Sequence, residues 1–240
     1  MTKRRLTEQE QSYNRRRSEL IARCRPEYIA DAPFLFANRI QTASMLSRVE
    51  LFKMAMDIPG AIIECGVYRG NSLMLYLQLS LLLEPYAINR SLYGFDTFAG
   101  FRSIDGTFDP DDINEQMFSE TDAEVLEQSI LLNDLIRPVN RIPRCEIIKG
   151  DIVQTVPEFV KNKPELCVAM LILDTDLYQP TKVALQSFLP LMPKGAIVVL
   201  DEVAYRNFAG ETQALKEVLD FNKVELKRFP YEGSVGYFRI

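Results

Sequence analysis

Leu171-Ile172-Leu173-Asp174-Thr175-Asp176 is an apolar run that ends in two carboxylates, and Ile197-Val198-Val199-Leu200-Asp201-Glu202 repeats the arrangement. Unbroken Val/Ile/Leu runs of this length read as parallel strands buried on both faces. In open α/β sheets ligands bind beyond the carboxyl ends of such strands, so four acids placed there mark a candidate site. Two neighbouring strands ending in this way can hold one divalent cation between them. An acid at a strand end also serves as the N-cap of the next helix, so each of the four has a purely structural reading as well. Asp174 and Asp176 leave the same face if the strand persists through them. Adjacent Asp201 and Glu202 point oppositely unless the chain turns, which makes Glu202 the weakest ligand candidate. Like charges packed together raise one another's pKa, so a cation or a shared proton is expected. Oxygen-only ligands favour magnesium, manganese or calcium over zinc.

Outward from these runs the pattern alternates. Strand-like segments fall near 61–65, 91–95, 145–149, 167–174, 196–201, 224–228 and 235–239, and helix-like ones at 71–83, 122–134, 154–162, 181–190 and 211–221. Alternation of this kind implies a mostly parallel seven-stranded sheet with helices on both faces and, from the short turn around Tyr231-Gly233, an antiparallel edge. A helical region precedes it, residues 1–57, with a helix from about Ala43 to Met56 that Thr42 caps and Pro59-Gly60 closes. Thr121-x-x-Glu124 reads as a capping box. No linker divides the chain, so 1–240 is expected to be a single domain. Residues 99–121 break the rhythm with Gly100, Gly106 and Pro110 among Phe101, Phe108, Met117 and Phe118. A long loop carrying such aromatics is expected to be a lid over a ligand.

Composition narrows the function. The chain has no histidine, which removes the commonest general base, His-ligated metals and Ser-His-Asp chemistry. Residues 1–25 hold eight Lys/Arg against three acids, so the rest is more acidic than the net charge of −5 indicates. Nucleic acid is not an expected partner of that body. Arg15-Arg16-Arg17 reads as a solvated helix face, and the N-terminal helices are a candidate surface for self-association. Cys24, Cys65, Cys145 and Cys167 are scattered, with Cys65 and Cys167 inside apolar runs, and read as reduced core residues. The charged N-terminus lacks a signal-peptide stretch, which points to the cytoplasm. Leu73 to Leu83 falls short of the ~20 residues of a membrane span and reads as a buried helix.

The first strand runs out as Ile63-Glu64-Cys65-Gly66-Val67-Tyr68-Arg69-Gly70-Asn71-Ser72. A glycine turn there lets a ligand approach the backbone at the next helix's start. A dinucleotide fingerprint needs G-x-G-x-x-G, whereas this segment is E-x-G-x-x-x-G-x-S. The acid before the turn repels a pyrophosphate and suits the cationic amino end of S-adenosylmethionine. The second strand ends in Asp96, where ribose hydroxyls can be gripped, and Lys149-Gly150-Asp151-Ile152 closes the third.

With Phe95-Asp96-Thr97-Phe98, Gly150-Asp151, Leu173-Asp174-Thr175-Asp176-Leu177-Tyr178 and Val199-Leu200-Asp201-Glu202, this segment resembles the class I methyltransferases with their Rossmann-like fold over roughly residues 55–240. Within them it resembles the macrocin O-methyltransferase-like family of sugar O-methyltransferases. The resemblance implies that Glu64, Gly66, Ser72, Asp96 and Asp151 lie around S-adenosylmethionine. It also implies that Asp174, Asp201 and Glu202 bind Mg2+ with Asp176 as the catalytic base. The family commonly has Asp-Asp where this chain has Asp201-Glu202. The acceptor it implies is a small glycosylated molecule: a glycosylated metabolite, a nucleotide sugar or a glycan intermediate. A catechol O-methyltransferase, the rival within the fold, would place a lysine where this chain has Leu177. A non-catalytic S-adenosylmethionine-binding module is the rival outside enzymes.

Overall fold

Seven strands form one sheet in the computed structural model, which describes residues 7–240: β1 (Ala61–Cys65), β2 (Leu92–Asp96), β3 (Cys145–Lys149), β4 (Val168–Leu173), β5 (Ile197–Leu200), β6 (Lys227–Arg228) and β7 (Gly236–Arg239). Their order is β3-β2-β1-β4-β5-β7-β6. Strands β1 to β5 run parallel, β7 pairs antiparallel with β5, and β6 pairs antiparallel with β7. The chain moves outward from β1 to β3 and then returns to lay β4 beside β1. This reversal opens a crevice at the carboxyl ends of β1 and β4, the ligand position of such sheets.

Among the described residues eight α-helices accompany the strands: α1 (Glu8–Ala22), α2 (Pro26–Asp31), α3 (Arg39–Ala55), α4 (Asn71–Leu83), α5 (Ala123–Ile136), α6 (Ile152–Asn162), α7 (Tyr178–Phe188) and α8 (Gly210–Val218). Alternate residues of each strand feed opposite cores. Ile63, Leu171, Leu173, Val198 and Leu200 pack with Val156, Leu185, Phe188 and Leu215 of α6 to α8. Ile62, Met170, Ile172, Ile197 and Val199 pack with Leu51, Phe52, Leu73, Tyr76 and Ile130 of α3 to α5. Each such side chain contributes about 1.5–3 kcal/mol by leaving water, so both faces must be covered for the sheet to hold. Glu64 faces the second core as the one charged residue of β1.

The structure corrects several local expectations. Asn38, not Thr42, caps α3: Asn38 and Gln41 form a reciprocal capping box, and the Thr42 hydroxyl donates back to the Asn38 carbonyl. Asp122 caps α5 in place of Thr121. The strand expected at 224–228 pairs only over Lys227–Arg228, because Val224 and Leu226 turn onto the core instead. Helix α4 is only half-buried, with Leu82 74% exposed at its end. Cys167 lies just before β4 and is partly exposed, as is Cys24; all four cysteines are free. Arg15 and Arg16 are exposed, whereas Arg17 is half-buried and its guanidinium donates to the Phe36 carbonyl and to Gln41, which ties α1 to the start of α3. The first six residues of the basic N-terminal extension lie outside the described residues. No described helix is long and apolar enough to cross a membrane.

Candidate active site

Four backbone hydrogen bonds bring the strand exits into line: Gly66 N–H to Phe95 at 2.8 Å, Gly150 to Asp96 at 2.9 Å, Asp174 to Cys65 at 2.8 Å and Asp201 to Leu173 at 2.9 Å. Gly66 has φ +89°, and a Cβ there would sit 1.9 Å from the Asp174 carbonyl oxygen. Only glycine lets the β1 and β4 exits meet so closely. Asp96 then fixes the turn. Its Oδ2 accepts the N–H groups of Val67 and Tyr68 at 2.8 Å each, and its Oδ1 accepts that of Phe98 at 2.7 Å.

The exits of β1 to β4 line a cleft of about 740 Å³, open mouth included. Gly66, Asp96, Asp151, Asp174 and Asp176 line it with Tyr68, Phe101 and Phe118. Phe118 packs edge-on against both Tyr68 and Phe101, with centroids 5.5 and 5.2 Å away. Residues 99–121 are tied down on two sides. Ser103 Oγ donates to Asp151 Oδ2 at 2.6 Å, while Asp151 Oδ1 caps α6 through Val153. The buried Asp109 accepts the Tyr178 N–H at 2.8 Å at the start of α7.

The acids after β4 and β5 are gathered by a residue that sequence reasoning missed. Glu211 of α8 is fully buried; its Oε1 accepts the N–H groups of Thr175 (3.1 Å) and Asp176 (3.2 Å), and its Oε2 that of Glu202 (3.2 Å). The strand does not persist through Asp176, as a shared strand face would require: β4 stops at Leu173, and Asp176 adopts φ +61°. A turn follows directly after Leu200, which frees Glu202 from the opposite-face geometry of a strand. In sequence Glu211 looks like an ordinary first-turn helix acid, and its only signal is Gly210 before it. Gly210 lets α8 press on the chain at Leu177 and Tyr178, where a Cβ would meet the Tyr178 nitrogen at 2.5 Å.

Burial, more than mutual repulsion, pushes these carboxyls up. Asp174 stands well above the usual carboxylate range through burial and then Asp201, Asp176 and Glu211, with Arg48 opposing. Burial and then Asp201 and Asp109 raise Asp176 to about 7. Glu202 reaches about 8 through burial and the charges of Asp176 and Asp201. Asp201 is raised by burial, against Arg48. Arg48 of α3 is the second missed residue, its Nη2 lying 3.7 Å from Asp201 and 3.9 Å from Asp174. The only hint in the sequence is a charge set among Leu46, Leu51 and Phe52.

Glu64 and Ser72 stand apart from the cleft. Glu64 is fully buried beneath α4, where Ser72 Oγ donates to its Oε1 and its Oε2 has no hydrogen-bond partner. Burial foremost, eased by Ser72 and Arg48, raises Glu64 to about 7.

A cleft that is both anionic and aromatic, with bare backbone at Gly66, fits a sulfonium cofactor bearing an adenine ring. The donor chemistry beside it fits a hard divalent cation: the ligand candidates offer only oxygen, and the buried Oε2 of Glu202 has no partner. Among the described residues, however, no three acids converge closely enough to form a cation cage. Arg48 is the cation that faces Asp174 and Asp201.

The sheet order, the glycine turn after β1 and the acids beyond β2, β4 and β5 define the class I methyltransferase fold. The sequence matches the family described as Macrocin-O-methyltransferase (TylF) over residues 9–227, and the chain belongs to that family of S-adenosylmethionine-dependent O-methyltransferases. The structure is similar to that of CalS11, described as a calicheamicin methyltransferase, at 28% identity over 98% of this chain and 93% of CalS11, with a TM-score of 0.90. A second, apo structure of CalS11 matches at 27% identity over 98% and 95% of the two chains, with a TM-score of 0.84. The O-methyltransferase NovP shares the fold at 16% identity over 82% and 79%, TM-score 0.63. No curated protein matches the sequence at a significant level.

Proposed function

We propose that this enzyme methylates a sugar hydroxyl that has a neighbouring oxygen, using Asp176 as general base and a divalent cation, Mg2+ in the first instance, held by Asp174, Asp201 and Glu202. The observation that carries the reading is Asp176 itself. Asp176 lines the cleft next to Asp174, and burial with Asp201 and Asp109 nearby raises its carboxyl above the ordinary aspartate range, the direction a base working near neutral pH needs. CalS11 is described as a TDP-rhamnose 3'-O-methyltransferase, and the likeness to it supports a sugar acceptor.

The cofactor supplies an electrophilic methyl on sulfur, and a divalent cation would lower the pKa of the acceptor hydroxyl and orient its neighbour. This chain's own residues do the rest. Asp176 takes the hydroxyl proton as the new O–CH3 bond forms and the sulfur–methyl bond breaks. Gly66 brings the backbone close to the cofactor, and Asp96 and Asp151 set the loops around it. Residues 99–121 act as a lid, with Phe101 and Phe118 keeping water from the methyl. Leu177 is buried at 2% exposure where a catechol enzyme would carry its lysine. An aliphatic hydroxyl is harder to ionise than a catechol, so it calls for a carboxylate base beside a cation.

Methyl transfer to a glycoside with a vicinal diol, to its monodeoxy analogue and to a catechol, each with and without EDTA, tests this directly. The diol is expected to be preferred and the chelator to abolish turnover. Preference for the catechol, or indifference to the missing hydroxyl, would overturn the acceptor assignment; full activity in excess EDTA would overturn the cation.

A further inference from the structure

Arg48 reaches the carboxylates from α3, the helix before the sheet begins. A single nitrogen, Nη2, faces both Asp201 Oδ1 at 3.7 Å and Asp174 Oδ2 at 3.9 Å. Nη1 is anchored on its own helix, donating to the Ser44 carbonyl at 3.3 Å and to the Ser44 hydroxyl. The Arg48 side chain is only 13% exposed, against 32% for Asp174 and 28% for Asp201, so it approaches from the buried side while the acids keep an open side. Both nitrogen–oxygen distances exceed hydrogen-bond length, which leaves a charge attraction that can be released without breaking a bidentate pair. Burial alone would depress the guanidinium, yet the surrounding Tyr76, Asp201, Glu64 and Asp174 raise it above its ordinary value. It is a permanent cation at any working pH.

We propose that Arg48 is a resident counter-ion that competes with a divalent cation for Asp174 and Asp201, so that cation binding is coupled to the seating of α3. The inference rests on the cation reading above. A guanidinium between two half-buried acids lets the cluster fold while empty, and it weakens the site for any incoming positive charge. The coupling is reciprocal: a bound cation loosens the Arg48 bridge by the same free energy.

The test is Mn2+ binding, followed by calorimetry and by Mn2+-induced thermal shift, on the full chain and on Arg48→Met, with Arg48→Lys as the charge-preserving control. Arg48→Met removes a unit charge a few ångströms from the ligands, which predicts binding about tenfold tighter or more. It should also show a larger thermal shift than wild type. Arg48→Lys should stay within about threefold of wild type, since the charge remains. Arg48→Gln keeps a donor for Ser44 and replaces Arg48→Met if that variant does not fold. Equal affinities in wild type and the neutral variants would overturn the competition, and weaker binding in them would make Arg48 an orienting residue instead. Binding by the neutral variants but not by wild type would uphold the competition and overturn the cation as a resident group. No binding by any of them would overturn both.

Discussion

Glu211 holds Asp176 by its backbone: the Glu211 carboxylate accepts the Asp176 N–H at 3.2 Å and, through its other oxygen, the Glu202 N–H at 3.2 Å. One buried side chain from α8 therefore sets the position of acids from two different strands.

Glu211→Gln keeps the volume but replaces one acceptor with a donor that faces an N–H group. A buried donor left unpaired costs about 1–3 kcal/mol, so the melting temperature should fall. Displacing a base by even ~1 Å costs about 10²-fold in rate, so turnover should drop about 10–100-fold. Affinity for S-adenosylmethionine, measured by calorimetry, should stay within about threefold, because Glu211 does not line the cleft. Unchanged turnover in a folded variant would remove Glu211 from the positioning role.

Stability should depend on pH through Glu64. Its folded-state pKa is about 7, against 4.5 for an ordinary glutamate, so the folded state binds the proton more tightly. The contribution is complete below pH 4.5 and is lost as pH rises through about 7, up to about 3 kcal/mol in all. Glu64→Gln should flatten that part of the profile. Parallel stability curves for wild type and variant between pH 4.5 and 7.5 would show that Glu64 does not carry it.

Asp96→Ala frees three backbone N–H groups in the turns beside the cleft. S-adenosylmethionine binding should weaken by about 1–3 kcal/mol, the range for charge-assisted hydrogen bonds, with the domain still folded. Calorimetry giving wild-type affinity would mean that the turn holds its shape without the carboxylate.

The sheet was legible because burial on both faces writes itself as unbroken apolar runs. Residues 61–65 and 145–149 are the strands expected, and the runs near 91–95, 167–174 and 196–201 each differ by one residue at both ends. Strand β6 was overread because Val224 and Leu226 satisfy the core without pairing, a choice that only tertiary packing reveals. Asp174, Asp176 and Asp201 stand out by their position after strands, and in the structure their charges act on one another. Arg48 and Glu211 were not found, since each acts at a distance of more than thirty residues from a partner it touches. No local pattern encodes that. The alternation of β1 turns Glu64 inward to α4, where Ser72 donates to it.

The pH–rate profile should rise with Asp176. A base works in its deprotonated form, so the rate should fall about tenfold per unit below its pKa, which is about 7 in the cation-free protein and lower with a divalent cation beside it, and level off above. An acid limb that is present in wild type and unchanged in Asp176→Asn would remove Asp176 from the chemistry.

The most direct measurement is single-turnover methyl transfer by Asp176→Asn, with S-adenosylmethionine affinity determined on the same preparation. If Asp176 is the general base, the rate falls by about 10²–10⁴ while the affinity is unchanged. Wild-type transfer by the folded, cofactor-binding variant would contradict the account.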